Sequence, residues 1–412
     1  MRSGTARLLG TASLATLVIA ACTQSPGVPA ASSPSGSTDE ATAAAPSGTP
    51  AGATGTLAPV PMTGPGAQPV PASPGSCAQP GPKADDLHPA TVKSAWKRVA
   101  YDTGRGSLDH LAVGSDGTVW ATRTTRRTVA GAVETRFDGL RRWDGKRWTA
   151  FPLPNVQVTA LGAASAEQAW VFGLAAGQPG LVGSFQHGVW APLQLTGQLS
   201  TAIGTAGTAT RAGWTVNGTE ALHWNGATWQ SYELPAPAGA VGGEGSAVWT
   251  VSGPVLPQGP ASRWDGQAWQ RIGVPRLAVP RKTDSPRPRL TGVVVLGPRD
   301  VWVVGGVSWL VPGRSSPQNE PLERRRPVAL HWNGATWRCL WGRLGTTFTQ
   351  AEPDGRGGLW VLDSTASRLL HLSRAGRWTI HPIPGTITAL AHGPSQTYAA
   401  TSTPRPALFR AS

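Results

Sequence analysis

A short phrase recurs through this chain and limits what it can fold into: Trp143-Asp144-Gly145 with Trp148, Trp224-Asn225-Gly226 with Trp229, Trp264-Asp265-Gly266 with Trp269, and Trp332-Asn333-Gly334 with Trp337. Asp-Gly and Asn-Gly favour tight hairpin turns. With a four-residue connection the two tryptophans of each copy face each other across a strand pair. A phrase repeated at this interval is the mark of an internally repeated architecture. Aromatic residues also set a boundary, since all 19 Trp, 6 Phe and 3 Tyr lie at or after Trp96. Only that part can build a large packed core.

From Trp96 onward short β-like runs alternate with Gly, Asp, Asn and Pro turns, and no stretch has helical periodicity. A four-strand phrase is readable: a small-residue strand (Leu111-Ala112-Val113), a turn (Ser115-Asp116-Gly117), a strand with a tryptophan (Val119-Trp120-Ala121), a variable loop, a strand ending in the Trp-Asp/Asn-Gly turn, and a last strand with another tryptophan. It repeats at about 108–153, 157–195, 199–234, 238–276, 290–343 and 346–383, with an incomplete seventh copy at 386–410. The missing fourth strand is available at Ala95-Trp96-Lys97-Arg98-Val99, which matches Arg147-Trp148-Thr149 and Arg377-Trp378-Thr379. Closing the last unit with the first strand removes open sheet edges. Trp96 to Arg410 then divides into seven units of 45 residues. The expected fold is an all-β, seven-bladed β-propeller over 94–412.

These phrases resemble β-propellers, and more closely the tryptophan-rich propeller repeats of secreted actinobacterial proteins; 31 Arg against 5 Lys also suits a GC-rich genome. Ser115-Asp116-Gly117-Thr118-Val119-Trp120, and Pro353-Asp354-Gly355 with Leu359-Trp360, look in part like turns of the two-component-regulator and Asp-box propellers. The Trp-Asp strand end is similar to WD40 repeats, whose Gly-His element is absent here. Propellers share architecture without sharing activity, so the resemblance implies a fold and leaves the function open.

Ahead of the repeats, Arg2 and Arg7 precede an apolar run through Leu17-Val18-Ile19 and small residues, the pattern of a secretory signal over 1–21. Ile19-Ala20-Ala21-Cys22 resembles a bacterial lipobox, which implies a lipidated Cys22 and a protein held on the extracytoplasmic face of the cell membrane. The rest of 22–93 is dominated by Ala, Pro, Gly, Ser and Thr up to about residue 82 and reads as a disordered tether. If Cys22 carries lipid, Cys77 and Cys339 remain as an even pair in an oxidising compartment, and a disulfide between them is expected, with two free thiols as the alternative.

Formal net charge is +14, and +12 once Arg2 and Arg7 are set aside. A basic exported surface favours anionic partners: lipid headgroups, phosphate-bearing wall polymers or acidic proteins. Nucleic acid fits the charge and not the compartment. In a propeller the second-to-third connections and the links between blades share one face, and the other turns share the opposite one. The long insertions all belong to the first set: 123–136, 280–289 and 312–327. They carry the candidate binding residues Arg126, Arg127, Arg281, Lys282, Arg287, Arg289, Arg314, Arg324, Arg325 and Arg326. Loops on a rigid scaffold are where binding usually resides.

Catalytic signals are sparse. No zinc spacing, nucleophile motif, phosphate loop or cofactor fingerprint is present, so neither a metal nor a cofactor is expected. Asp109-His110 begins the innermost strand of the first unit and Arg289 that of the fifth, at the rim of the channel. Sialidase-like chemistry would need an arginine cluster, an acid and a tyrosine there, and a solvated rim is the simpler account. His223 and His331 share one repeat position and read as packing residues. Most tryptophans are expected between sheets, with Trp309 and Trp341, outside the repeated positions, as candidates for exposure. The expected function is a non-catalytic binding or scaffolding module for an anionic envelope partner; the alternative is a hydrolase or lyase acting on an envelope glycan.

Overall fold

The computed structural model describes residues 75–81, 83, 85–102, 106–129, 132–153, 156–175, 178–193, 213–225, 229–253, 258–365, 368–402 and 405–412. The signal, Cys22 and the tether before residue 75 lie outside the described residues. All regular structure among the described residues is strand. Three strands come first: β1 (Ser76–Cys77), β2 (Ala90–Thr91) and β3 (Trp96–Tyr101). The first antiparallel sheet follows, with β4 (Ser107–Val113), β5 (Val119–Val129), β6 (Ala132–Trp143) and β7 (Trp148–Phe151). The second holds β8 (Val156–Ser165), β9 (Gln168–Ala175), β10 (Gln178–Gln186) and β11 (Val189–Leu193).

In the third, β12 (Trp214–Trp224) pairs with β13 (Trp229–Ala238), and the start of this unit lies outside the described residues. β12 folds back at Gly218, where φ is 60°, and the Trp224 N–H reaches Gly213 O at 3.0 Å. The fourth sheet is β14 (Ala240–Glu244), β15 (Ala247–Val251), β16 (Ala261–Trp264) and β17 (Trp269–Ile272), after which β18 (Arg276–Leu277) pairs in parallel with β1. The fifth is β19 (Asp284–Gly297), β20 (Asp300–Ser315), β21 (Pro321–Trp332) and β22 (Trp337–Trp341). The sixth is β23 (Phe348–Pro353), β24 (Leu359–Asp363), β25 (Arg368–Leu372) and β26 (Trp378–Pro382), with β2 added in parallel at its edge. In the last, β27 (Ile387–His392), β28 (Thr397–Thr401) and β29 (Ala407–Ala411) take β3 as their fourth strand, with Arg410 opposite Lys97 and Ala411 opposite Trp96.

The repeated turns form as their sequence requires. Asp144, Asp265 and Asn333 each accept two backbone N–H groups from the following residues, and Gly145, Gly266 and Gly334 supply positive φ of 94°, 104° and 97°. These N–H donors hold the Asp144 and Asp265 carboxyls below their ordinary pKa. The tryptophans pair across the strands in all four copies, with ring centroids 5.3–5.7 Å apart. Packing then runs between sheets. Trp120 is fully buried among residues of the first and second sheets, its Nε1–H donating to Ser165 O at 2.9 Å, and Trp337 Nε1–H reaches Gly273 O beyond the fourth sheet at 2.7 Å. His223 and His331 stack on Trp214 and Trp302 with centroids 4.3 Å apart. Trp309 and Trp341, expected to be exposed, are 5% and 1% accessible and belong to the core between the fourth and fifth sheets. Their burial follows from the extra strand length and edge segment that this region carries.

Innermost strands are stitched to one another by a bulge. β4, β8, β19, β23 and β27 each skip one residue in their pairing, at His110, Thr159, Thr291, Thr349 and Thr388. The freed side chain can reach the next sheet: Thr291 donates to Phe348 O at 2.9 Å, Thr388 to Leu108 O, and His110 bonds the Val158 backbone. Burial lowers the His110 pKa, with Asp109 and Val158 opposing the shift.

Part of the segment ahead of residue 94 packs against the sheets. Residues 75–81, 83 and 85–93 run along the sheet edges as a strap. Cys77 is bonded to Cys339 on β22, as expected from the cysteine count. Asp86 pairs with Trp341 through both backbone and side chain, at 2.7 and 3.0 Å, and Ala95 N–H donates to His381 Nδ1 at 3.2 Å.

Candidate functional site

Two places could meet a ligand, a basic extension of the fifth sheet and a cavity on the axis. The segments 123–136, 280–289 and 312–327, read as loops, are largely strand. β20 is 16 residues long where the equivalent strands of the fourth and sixth sheets have 5. Pairing continues outward through Arg287 opposite Ser308, Trp309 opposite Arg324 and Ser315 opposite Pro321. Backbone hydrogen bonding and the buried Trp309 beneath therefore hold this extension. Arg281, Lys282, Arg287, Arg314, Arg324 and Arg325 are exposed on it, and Glu323 compensates Arg325 through a 2.8 Å contact to Nε. In the first sheet, β5 and β6 extend likewise, pairing Arg126 with Thr135; Arg126 is exposed, and the Arg127 side chain lies outside the described residues.

Two expected binding residues do not belong to this surface. Arg326 is 1% exposed: its guanidinium donates to Gly342 O at 3.0 Å, Pro80 O at 2.7 Å and Gly81 O at 3.3 Å, clamping the strap to the fifth sheet. Burial lowers its pKa, while Asp86 and Asp85 pull it back up. The strand alternation places Arg326 inward, and the three carbonyls solvate a charge that could not otherwise be buried. Arg289 is half-buried at the foot of β19, with Nη1 enclosed and no hydrogen-bond partner among the described residues.

The axial cavity has a volume of about 460 Å³ and is lined by β4, β8, β14, β19, β23 and β27. It lies along their C-terminal halves, toward the short first-to-second turns. The rim expected to hold a catalytic group is at the other end. There Asp109 is occupied by Ser107, 2.8 Å away, and by Thr124, and His110 by the Val158 backbone, so neither lines the cavity.

Small apolar residues make most of the cavity wall, with Thr291, Gln350, Glu352 and His392 as its main polar side chains. Gln350 bonds both backbone groups of Leu390, at 2.7 and 3.0 Å, and its Nε2 donates to Glu352 Oε1 at 3.2 Å. Burial raises the Glu352 carboxyl from 4.5 to about 7, against donations from Gln350 and the His392 backbone. The Thr397 hydroxyl donates to Pro353 O at 2.8 Å and also lies 3.2 Å from His392 Nδ1. Glu352 and His392 were not singled out in the sequence. The available signal was a carboxylate inside a first-strand phrase of otherwise uncharged residues, Phe348–Pro353. Among the described residues no group of His, Cys, Asp and Glu could hold a metal ion.

No protein-family profile and no curated protein sequence matches the chain. Among solved structures, it is similar to virginiamycin B lyase from Staphylococcus aureus, at 14% identity and a TM-score of 0.48 over 76% of this chain and 98% of that one. It is also similar to a streptogramin B lyase, at 14% identity and TM-score 0.45 over 76% and 96%. The α-L-arabinofuranosidase of Fusarium graminearum gives 9% identity and TM-score 0.38 over 78% and 97%. Likeness at this level assigns no activity.

Proposed function

We propose that this protein is a seven-bladed β-propeller, lipid-anchored through Cys22 on the outer face of the cell membrane, acting as a non-catalytic binding module. Its partner would be an anionic envelope polymer or an acidic protein surface. The propeller reading is supported by sheets formed from successive segments, inner strands that share one cavity, and a last sheet that takes its fourth strand from β3. The binding reading rests on the fifth-sheet extension, where exposed Arg281, Lys282, Arg287, Arg314 and Arg324 stand on hydrogen-bonded strands or beside them. A strand-built support spares the binding event the cost of ordering a loop, leaving only the side chains to be ordered.

Replacing Arg287, Arg314 and Arg324 with Ser should release the protein from purified envelope at lower salt than the wild type. The same number of changes on the opposite face, at Lys146, Arg147 and Arg374, should have little effect. Equal release by both sets would reduce the interaction to diffuse charge and remove the site.

A second reading, a hydrolase or lyase acting on an envelope glycan, is favoured by Glu352, whose raised carboxyl could serve as a general acid. Release of soluble fragments from envelope glycan by the wild type and not by Glu352→Gln would support it.

A further inference from the structure

The axial cavity has a chemistry opposite to that of the basic extension. Among the described residues no Lys or Arg lines it and Glu352 is its single carboxylate, and its walls are residues such as Val113, Ala163, Val241 and Val293. The turn-side rim carries Asp116, Glu167, Asp300 and Asp354 against Arg299 and Arg356, with Arg142 pairing Glu167 at 3.3 Å. Asp300 and Asp354 are partnered by His331 and His371, at 2.9 and 2.8 Å.

We infer that the axial cavity binds a small organic ammonium ion, its charged head against Glu352 and its apolar body against the valines and alanines of the inner strands. An anion would meet the carboxylate with no Lys or Arg among the described lining residues to offset it. A neutral ligand would leave the ionised form of Glu352 without a countercharge among the described lining residues. An ammonium group supplies the positive charge that no Lys or Arg among the described lining residues provides, and a cavity of about 460 Å³ is within the range for small-molecule sites. The two donors already on Glu352, Gln350 Nε2 and the His392 backbone N–H, are both neutral, so they orient the carboxylate without satisfying its charge. This site is separate from the arginine extension, and either can fail without the other.

The test is calorimetric titration of the exported protein with benzylamine and with benzyl alcohol, which differ only in the head group. Benzylamine should bind with its affinity lowered about tenfold or more by Glu352→Gln, while benzyl alcohol binds weakly to both proteins. Gln keeps an acceptor for the His392 N–H, and near-ultraviolet circular dichroism of the many tryptophans verifies that the variant is folded. Equal affinity for the two probes, benzylamine binding unaffected by Glu352→Gln, or no heat up to roughly 10 mM would each overturn the inference.

Discussion

Replacing Arg326 with Met tests what holds the strap to the fifth sheet. The side chain is 1% exposed and donates to three carbonyls, Gly342 O, Pro80 O and Gly81 O, at 2.7–3.3 Å. Met fills most of the volume and removes all three donations. Hydrogen bonds to a charged group contribute about 1.5–3 kcal/mol each, and the strap carbonyls can regain water once released, so the net loss is about 3–5 kcal/mol. The loss should appear first as local opening, because the Cys77–Cys339 bond still fixes the strap's beginning. Lys83 is exposed and lies just beyond the clamped carbonyls. Trypsin cleavage there should accelerate about 100-fold if 3 kcal/mol of local stability is lost. Arg326→Lys keeps the charge and loses the fork, and should fall between the two. Cleavage of Arg326→Met at the wild-type rate, with an unchanged urea midpoint, would refute this account.

Two further outcomes follow from the same structure. The Glu352 carboxyl is raised from 4.5 to about 7, so the folded state holds its proton more tightly than the unfolded state. Stability should then fall as pH rises through that window, by about 3 kcal/mol, and Glu352→Gln should flatten the fall; urea midpoints measured at intervals between these limits decide it. Cys339→Ser opens a loop closed across 262 residues and should lower unfolding stability by about 2–4 kcal/mol under oxidising conditions, with no difference from wild type once reductant is added.

The repeated turns were legible because their determinants are local. Trp264-Asp265-Gly266 carries its own cap, its own positive φ and its own cross-strand tryptophan, so the register of Trp264 with Trp269 needs no information from elsewhere. The pairing of β3 with β29 could be read because each end of the repeats lacked what the other had. Arg326 could not be read this way. Arg324, Arg325 and Arg326 are indistinguishable in composition, and the inward one is identified only by its place in the strand and by a segment some 245 residues away. Glu352 is hidden for a related reason, since only closure of the inner strands around an axis turns that position toward a cavity.

The strap also determines where a mechanical load would go. Tension applied to the chain ahead of residue 75 reaches the Cys77–Cys339 bond before it reaches β3. A force that would peel β3 from β29 one hydrogen bond at a time is instead delivered across a covalent link into a sheet whose strands must slide past one another to yield. The strand that completes the last sheet is thereby shielded from any pull applied through the chain ahead of the strap.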